Sequence, residues 1–218
     1  MRFTKTLFTT ALFGASVFSF QSTAWAIEQS QMIQVEQLYK QKGFKPILAI
    51  IQPLAEQGNA SSQVLLGDMY YSGRGVKQDD FEAVKWYRKA AEQGDAGAQS
   101  NLGAMYDTGR GVKQDDFEAV NWYRKAAEQG YAAAQSHLGL MYGNGRGVKQ
   151  DDVESVKWFR KAAEQGYAPA QLVLGALYLS GKGVQVNKSL AKEWFGKSCD
   201  NGEQKGCEYY GKLNRGEM

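Results

Sequence analysis

The sequence predicts an all-α protein, a right-handed α/α solenoid of 36-residue helix-loop-helix repeats. Three observations lead there. Gly67, Gly103, Gly139 and Gly175 are spaced by 36 residues, and so are Trp86, Trp122, Trp158 and Trp194. The same step links Gly58, Gly94, Gly130, Gly166 and Gly202. Apolar residues within each period recur at helical spacing, and a unit this small cannot bury such a face alone, so units stack into a continuous core.

The elements follow in chain order. Residues 1–26, "MRFTKTLFTTALFGASVFSFQSTAWA", open with Arg2 and Lys5, continue through an apolar Leu7–Phe20, and end in the small-x-small Ala24-Trp25-Ala26. These are the three regions of a secretory signal peptide, with an apolar run too short to span a membrane. Its removal takes Arg2 and Lys5 away and lowers the formal charge from +3 to +1. A chain so nearly neutral has no basic excess for nucleic acid. The bacterial style of the leader predicts the periplasm or the medium. Residues 27–58 read as a degenerate N-terminal capping repeat, which keeps the ending "PLAEQG" but shortens the loop.

Four full repeats are expected at 59–94, 95–130, 131–166 and 167–202. In "DAGAQSNLGAMYDTGRGVKQDDFEAVNWYRKAAEQG" (Asp95–Gly130), Ala98, Leu102 and Met105 or Tyr106 mark a first helix. Gly109 and Gly111 stop it. A second apolar series runs through Phe117, Val120, Tyr123 or Arg124, and Ala127, and Gly130 closes it. The loop "GRGVKQDD" between the helices raises three chemistries: phosphate cradle, metal site or architecture. No helix N-terminus directly follows the glycines, which removes the cradle. Asp79, Asp115 and Asp151 each precede a glutamate by three residues, a capping-box spacing. In the last unit Asn187 takes that place, which a helix cap accepts and a hard cation accepts less well. These four residues are therefore expected to cap second helices. Asp80, Asp116 and Asp152 fall in the first turn, where the helix dipole favours negative charge. No metal and no cofactor is expected.

Residues 203–218 read as a C-terminal capping helix. Cys199 and Cys207 are the only cysteines, eight residues apart across the turn at Gly202. That reach suits a disulfide in an oxidising compartment, and the spacing is not that of a redox or zinc motif.

The pattern carried by Ala98, Leu102, Gly103, Tyr106, Gly109, Gly111, Val112, Asp115, Ala119, Trp122, Tyr123, Ala126, Ala127 and Gly130 resembles the sel-1-like repeat family, α/α solenoids related to tetratricopeptide repeats. The likeness recurs four times over about residues 59–202. "SCDNGEQKGC" is similar to a repeat of the secreted, cysteine-rich subgroup, in which a disulfide joins helices in nearly every unit. Members of that subgroup were named as β-lactamases or penicillin binders, so the resemblance admits an enzyme acting on β-lactams or peptidoglycan as the alternative function. Ser189-Leu190-Ala191-Lys192 fits S-x-x-K, but no S-D-N or K-T-G accompanies it. "GALYLSGKG" (Gly175–Gly183) has one residue too many for a P-loop and lacks its Ser/Thr. His137 is the only histidine, so no histidine-based triad exists within one chain.

Three columns of the first helices change chemistry between units. They hold Leu65, Asn101, His137 and Val173; Asp68, Ala104, Leu140 and Ala176; and Tyr71, Asp107, Gly143 and Leu179. Positions three apart share one helix face, and in solenoids that face lines the concave surface. Asp68, Tyr71, Asn101, Asp107, His137 and Leu140 are the candidate partner-binding residues, for a protein or peptide. The other reading of the stripe is a solvated face under weak constraint. The expected molecule is an exported binding scaffold, a monomer, with no nucleic acid partner and no membrane span.

Overall fold

A computed structural model describes residues 44–217. The signal peptide expected at 1–26 and the first part of the N-terminal capping unit, 27–43, lie outside the described residues. Within them the chain forms ten helices and no strand. These are α1 (Phe44–Glu56), α2 (Ala60–Ser72), α3 (Asp80–Glu92), α4 (Ala96–Thr108), α5 (Asp116–Glu128), α6 (Ala132–Asn144), α7 (Asp152–Glu164), α8 (Ala168–Ser180), α9 (Lys188–Asp200) and α10 (Gln204–Asn214). Each packs on the next in chain order, so the molecule is an all-α solenoid. No helix among the described residues is long and apolar enough to cross a membrane.

Local chemistry sets the helix ends. The carboxylates of Asp79 and Asp115 accept from the N–H groups two and three residues on, at 3.0 and 3.1 Å in both units. Asp151 accepts from Glu154 N and Asn187 from Leu190 N, each at 2.9 Å. The reciprocal half of a capping box does not form. The N–H groups of Asp79, Asp115 and Asp151 donate instead to the carbonyls of Tyr70, Tyr106 and Tyr142 at 2.9–3.0 Å, which folds each loop back onto its first helix. Glu82 and Glu154, freed from that role, pair with Lys85 and Lys157.

The core lies between the two helices of each unit and between successive units. An ideal Cβ at Gly67, Gly103, Gly139 or Gly175 would lie 2.7–2.9 Å from the ring of Tyr87, Tyr123, Phe159 or Phe195. Glycine there lets the second-helix aromatic lie directly on the first-helix backbone, and all four rings are buried. Leu66, Leu102, Leu138 and Leu174 fill the same layer. Lys89, Lys125, Lys161 and Lys197 stack over Trp86, Trp122, Trp158 and Trp194 at 4.0–4.3 Å. Phe117 is not in this core. It is 71% exposed, and Phe81 is 76% exposed. The buried face of the second helix is Ala119, Tyr123, Ala126 and Ala127, and Phe117 falls on the side away from it.

A polar ladder runs through the joints between units. The buried side chains of Gln63, Gln99, Gln135 and Gln171 donate to the carbonyls of Ala55, Ala91, Ala127 and Ala163, eight residues back, at 2.9–3.1 Å. Each then accepts from the residue that ends its own second helix: Gln93, Gln129, Gln165 or Asn201, at 2.7–2.9 Å. At the last joint the eight-residue link is covalent, a Cys199–Cys207 disulfide with Cα atoms 4.5 Å apart.

Candidate binding surface

The repeated loop answers its own question once the neighbouring unit is in view. Gly111, Gly147 and Gly183 have φ of +65°, +63° and +72°, and a Cβ on them would lie 2.1–2.2 Å from the carbonyl oxygens of Asp80, Asp116 and Asp152. Each loop therefore sits on the start of the preceding unit's second helix. The loop cation completes the joint. Arg110 forks onto Asp80 with Nε–Oδ2 at 3.0 Å and Nη2–Oδ1 at 2.7 Å. Arg146 repeats this on Asp116 at 3.2 and 2.5 Å, and Lys182 reaches Asp152 at 3.2 Å. The second aspartate of each loop is thus an anchor for the next unit as well as a first-turn acid. Sequence reasoning missed this latch. Its signal was an opposite-charge pair at a constant 30-residue offset.

The candidate stripe is built on the same joints. Asp68, on α2, accepts from the Tyr87 hydroxyl at 2.7 Å, and Asn101 Nδ2 lies 3.5 Å away from the same oxygen. Desolvation on that side raises the Asp68 pKa above the ordinary carboxylate value, opposed by the Tyr87 hydrogen bond and the Arg74 charge. The Tyr87 phenol is pushed far up by burial, with the Asp68 carboxylate adding to the effect. Tyr71 carries the Arg110 guanidinium 4.0 Å over its ring. Asp107 pairs with Arg146 at 2.5 Å, so this cation serves two carboxylates. His137 stacks on Tyr123 with centroids 4.8 Å apart and planes 8° from parallel. Burial depresses its imidazole pKa, and the Asp107 charge opposes that shift. Leu140 is 43% exposed.

The structure brings Asp68, Tyr71 and Asn101 together at the first joint, and Asp107 and His137 at the second. Part of the chemical variation along the stripe is thereby structural. Asp68 faces a tyrosine hydroxyl, whereas Leu140 and Ala176 belong to units whose aromatics are Phe159 and Phe195. Tyr123 has Ala104 in its own unit's middle column, and its hydroxyl is influenced by Asp107.

The two-helix unit and its period match the Sel1 repeat model at residues 60–95, 96–131, 132–167 and 168–203. The chain belongs to the Sel1 repeat family. A protective antigen of uropathogenic Escherichia coli displaying an SLR fold is similar, at 33% identity and a TM-score of 0.78. That match covers 87% of this chain but only 42% of the antigen's length. A Sel1 repeat protein of Oxalobacter formigenes is similar at 35% identity and TM-score 0.77, covering 82% of this chain and 73% of that one. Helicobacter pylori cysteine rich protein B is similar at 27% identity and TM-score 0.50, covering 62% of this chain and 96% of its own. No curated relative matches the chain.

In the Sel1 frame the enzyme-like motifs take structural places. Ser189 and Lys192 share the first turns of α9 without a hydrogen bond between them, and Lys192 Nζ stands 5.6 Å over the Tyr210 ring. Gly175 of "GALYLSGKG" is inside α8 under Phe195, and Gly181 ends that helix in the left-handed region. Among the described residues no group of three His, Cys, Asp or Glu side chains could hold a metal. A shallow cavity of about 410 Å³ lined by Tyr142, Val148, Lys149, Gln150 and Asp151 lies at the third loop, apart from the six stripe residues.

Proposed function

We propose that this Sel1 array is an exported scaffold that holds a protein or peptide partner along the concave face of its first helices. The observation that carries the reading is the internal bracing of the stripe. Asp68, Tyr71, Asp107 and His137 are each held by a neighbour of the scaffold, so their polar groups are oriented before any partner arrives. Preorganisation lowers the ordering cost of binding an extended chain. Leu140 and Tyr71, 43% and 39% exposed, supply apolar area between those groups. Export is supported by the leader-like residues 1–26 and by the disulfide, a bond of oxidising compartments.

The test begins with capture of partners from periplasmic extract and their identification by mass spectrometry. Asn101→Ala combined with Leu140→Asp then probes the face, because these two side chains contribute least to the scaffold. The expected outcome is an affinity loss of about tenfold or more, with the thermal midpoint almost unmoved. Unchanged affinity for the captured partner would place binding elsewhere on the array.

A further inference from the structure

The stripe does not stop at α8. The first helices α2, α4, α6, α8 and α10 begin at Ala60, Ala96, Ala132, Ala168 and Gln204, in 36-residue register. Tyr209 of α10 therefore falls in the column of His137, Lys212 in that of Leu140, and Arg215 in that of Gly143. Side-chain positions agree with this register. Tyr209 stacks on Phe195 with centroids 5.1 Å apart, as His137 stacks on Tyr123, a ring fourteen residues back in both units. Lys212 Nζ lies 5.6 Å from the Tyr209 centroid. Arg215 hydrogen-bonds Glu217 and, with a smaller contribution from the Lys212 charge, holds that carboxyl below its ordinary value.

With α10 included, the stripe has two unlike ends and an apolar middle. At the α2–α4 end, Asp68 is exposed and shares its oxygen with Tyr87 and Asn101, and the Arg74 charge offsets it in part. Asp107 and Asp116 share one cation, Arg146, so a carboxylate is in excess there. In the middle, α6 and α8 put no carboxylate or ammonium in the three columns. Leu140 and Ala176 are exposed there, and Val173 and Leu179 are half-buried. At the α10 end, Lys212 and Arg215 face a single carboxylate, Glu217. Lys205 lies one turn before Tyr209 on the same face. Of the other α10 acids, Glu203 caps the helix, and Glu208 stands in the column of Ser100 and Ser136, which is buried at the inner joints.

We infer that the stripe takes an extended peptide of the opposite polarity, with a basic residue against Asp68, apolar side chains over Leu140, Ala176 and Leu179, and an acidic residue against Lys212 and Arg215. The inference rests on the concave-face reading proposed above and adds to it the chemistry and direction of the partner. A uniformly charged ligand fits one end and is repelled at the other: nucleic acid or an anionic lipid surface meets Asp68, and a polycation meets Lys212. A peptide carries opposite charges at separated places along an apolar chain, and matched charges fix which way it lies.

Fluorescence anisotropy of the full exported chain with blocked synthetic peptides tests this. The peptides share a leucine-alanine centre. One has lysines at one end and glutamates at the other; two controls keep only the lysines or only the glutamates, with glutamines replacing the rest. The doubly charged peptide is expected to bind most tightly. Asp68→Asn, which keeps the acceptor for Tyr87, should weaken the lysine-only peptide about threefold and leave the glutamate-only peptide unchanged. Lys212→Gln should do the reverse, and Leu140→Ser should weaken all three. Circular dichroism should be the same for every variant. If Leu140→Ser acts but the charge variants weaken both controls alike, or neither, the polarity is wrong and the concave-face reading stands. If none of the three substitutions matters, both fall. Failure of the doubly charged peptide to bind at all overturns the inference. So does a concentration-dependent rise in mass that this peptide reverses, which would give the stripe to a second copy of the chain.

Discussion

At Gly147 two demands fall on one residue. Its φ is +63°, and a Cβ would lie 2.1 Å from the Asp116 carbonyl oxygen, so both conformation and contact exclude a side chain. Gly130 has φ +90° but nothing within 4 Å of its Cβ position. Comparing alanine at the two sites separates backbone strain from steric conflict. Gly130→Ala should cost about 1–2 kcal/mol, the ordinary left-handed penalty. Gly147→Ala must also lift a loop off a helix and should cost about 3 kcal/mol or more. Urea unfolding of the two variants measures the difference. Equal losses would mean that the seating of the loop contributes little beyond its backbone conformation.

Between elements, the joint made by Gln171 and the Ala163 carbonyl has the same eight-residue reach as the Cys199–Cys207 bond. Cysteines at Ala163 and Gln171 should therefore close a second disulfide without moving α7 or α8. A loop this short supports a gain of about 2 kcal/mol in the chain-entropy model, less the lost glutamine hydrogen bonds. Peptide mapping of unreduced protein checks the pairing, and mispairing with Cys199 or Cys207 would disprove the equivalence of the two joints. These joints also show where sequence was readable. Helix ends at Asp115 and Gly109, and the proximity of Cys199 to Cys207, depend on residues close in the chain, and local spacing exposes them. The Arg146–Asp116 latch and the Gln129–Gln99 bond join residues 30 apart, and no local rule links them. Phe117 satisfied a three-residue apolar spacing with Val120, yet the buried face was decided by Ala119, Tyr123 and Ala126. The stripe positions were legible as variable columns. Their partners were not, because Arg110 reaches Tyr71 from the next unit's loop and Tyr87 reaches Asp68 from another helix.

For the whole molecule, the seams on either side of residues 95–130 are made from the same pairs of groups. Removing residues 95–130 would set Gly147 on the Asp80 carbonyl, Arg146 on Asp80 and Gln135 on Ala91, each a like-for-like exchange. The shortened array should remain folded, with a helical spectrum and an urea m-value lower by roughly a fifth, since m follows the surface exposed on unfolding. A disordered product would show that the units are not interchangeable. The seat that Gly111 makes on Asp80 thus has a genetic meaning. An in-register gain or loss of 36 codons between two stretches encoding "GRGVKQDD" gives a product whose units meet through a joint the array already has. Array length can drift across generations without passing through a misfolded ancestor. Each duplicated unit also arrives with its own three stripe positions, free to diverge while the original copy keeps working.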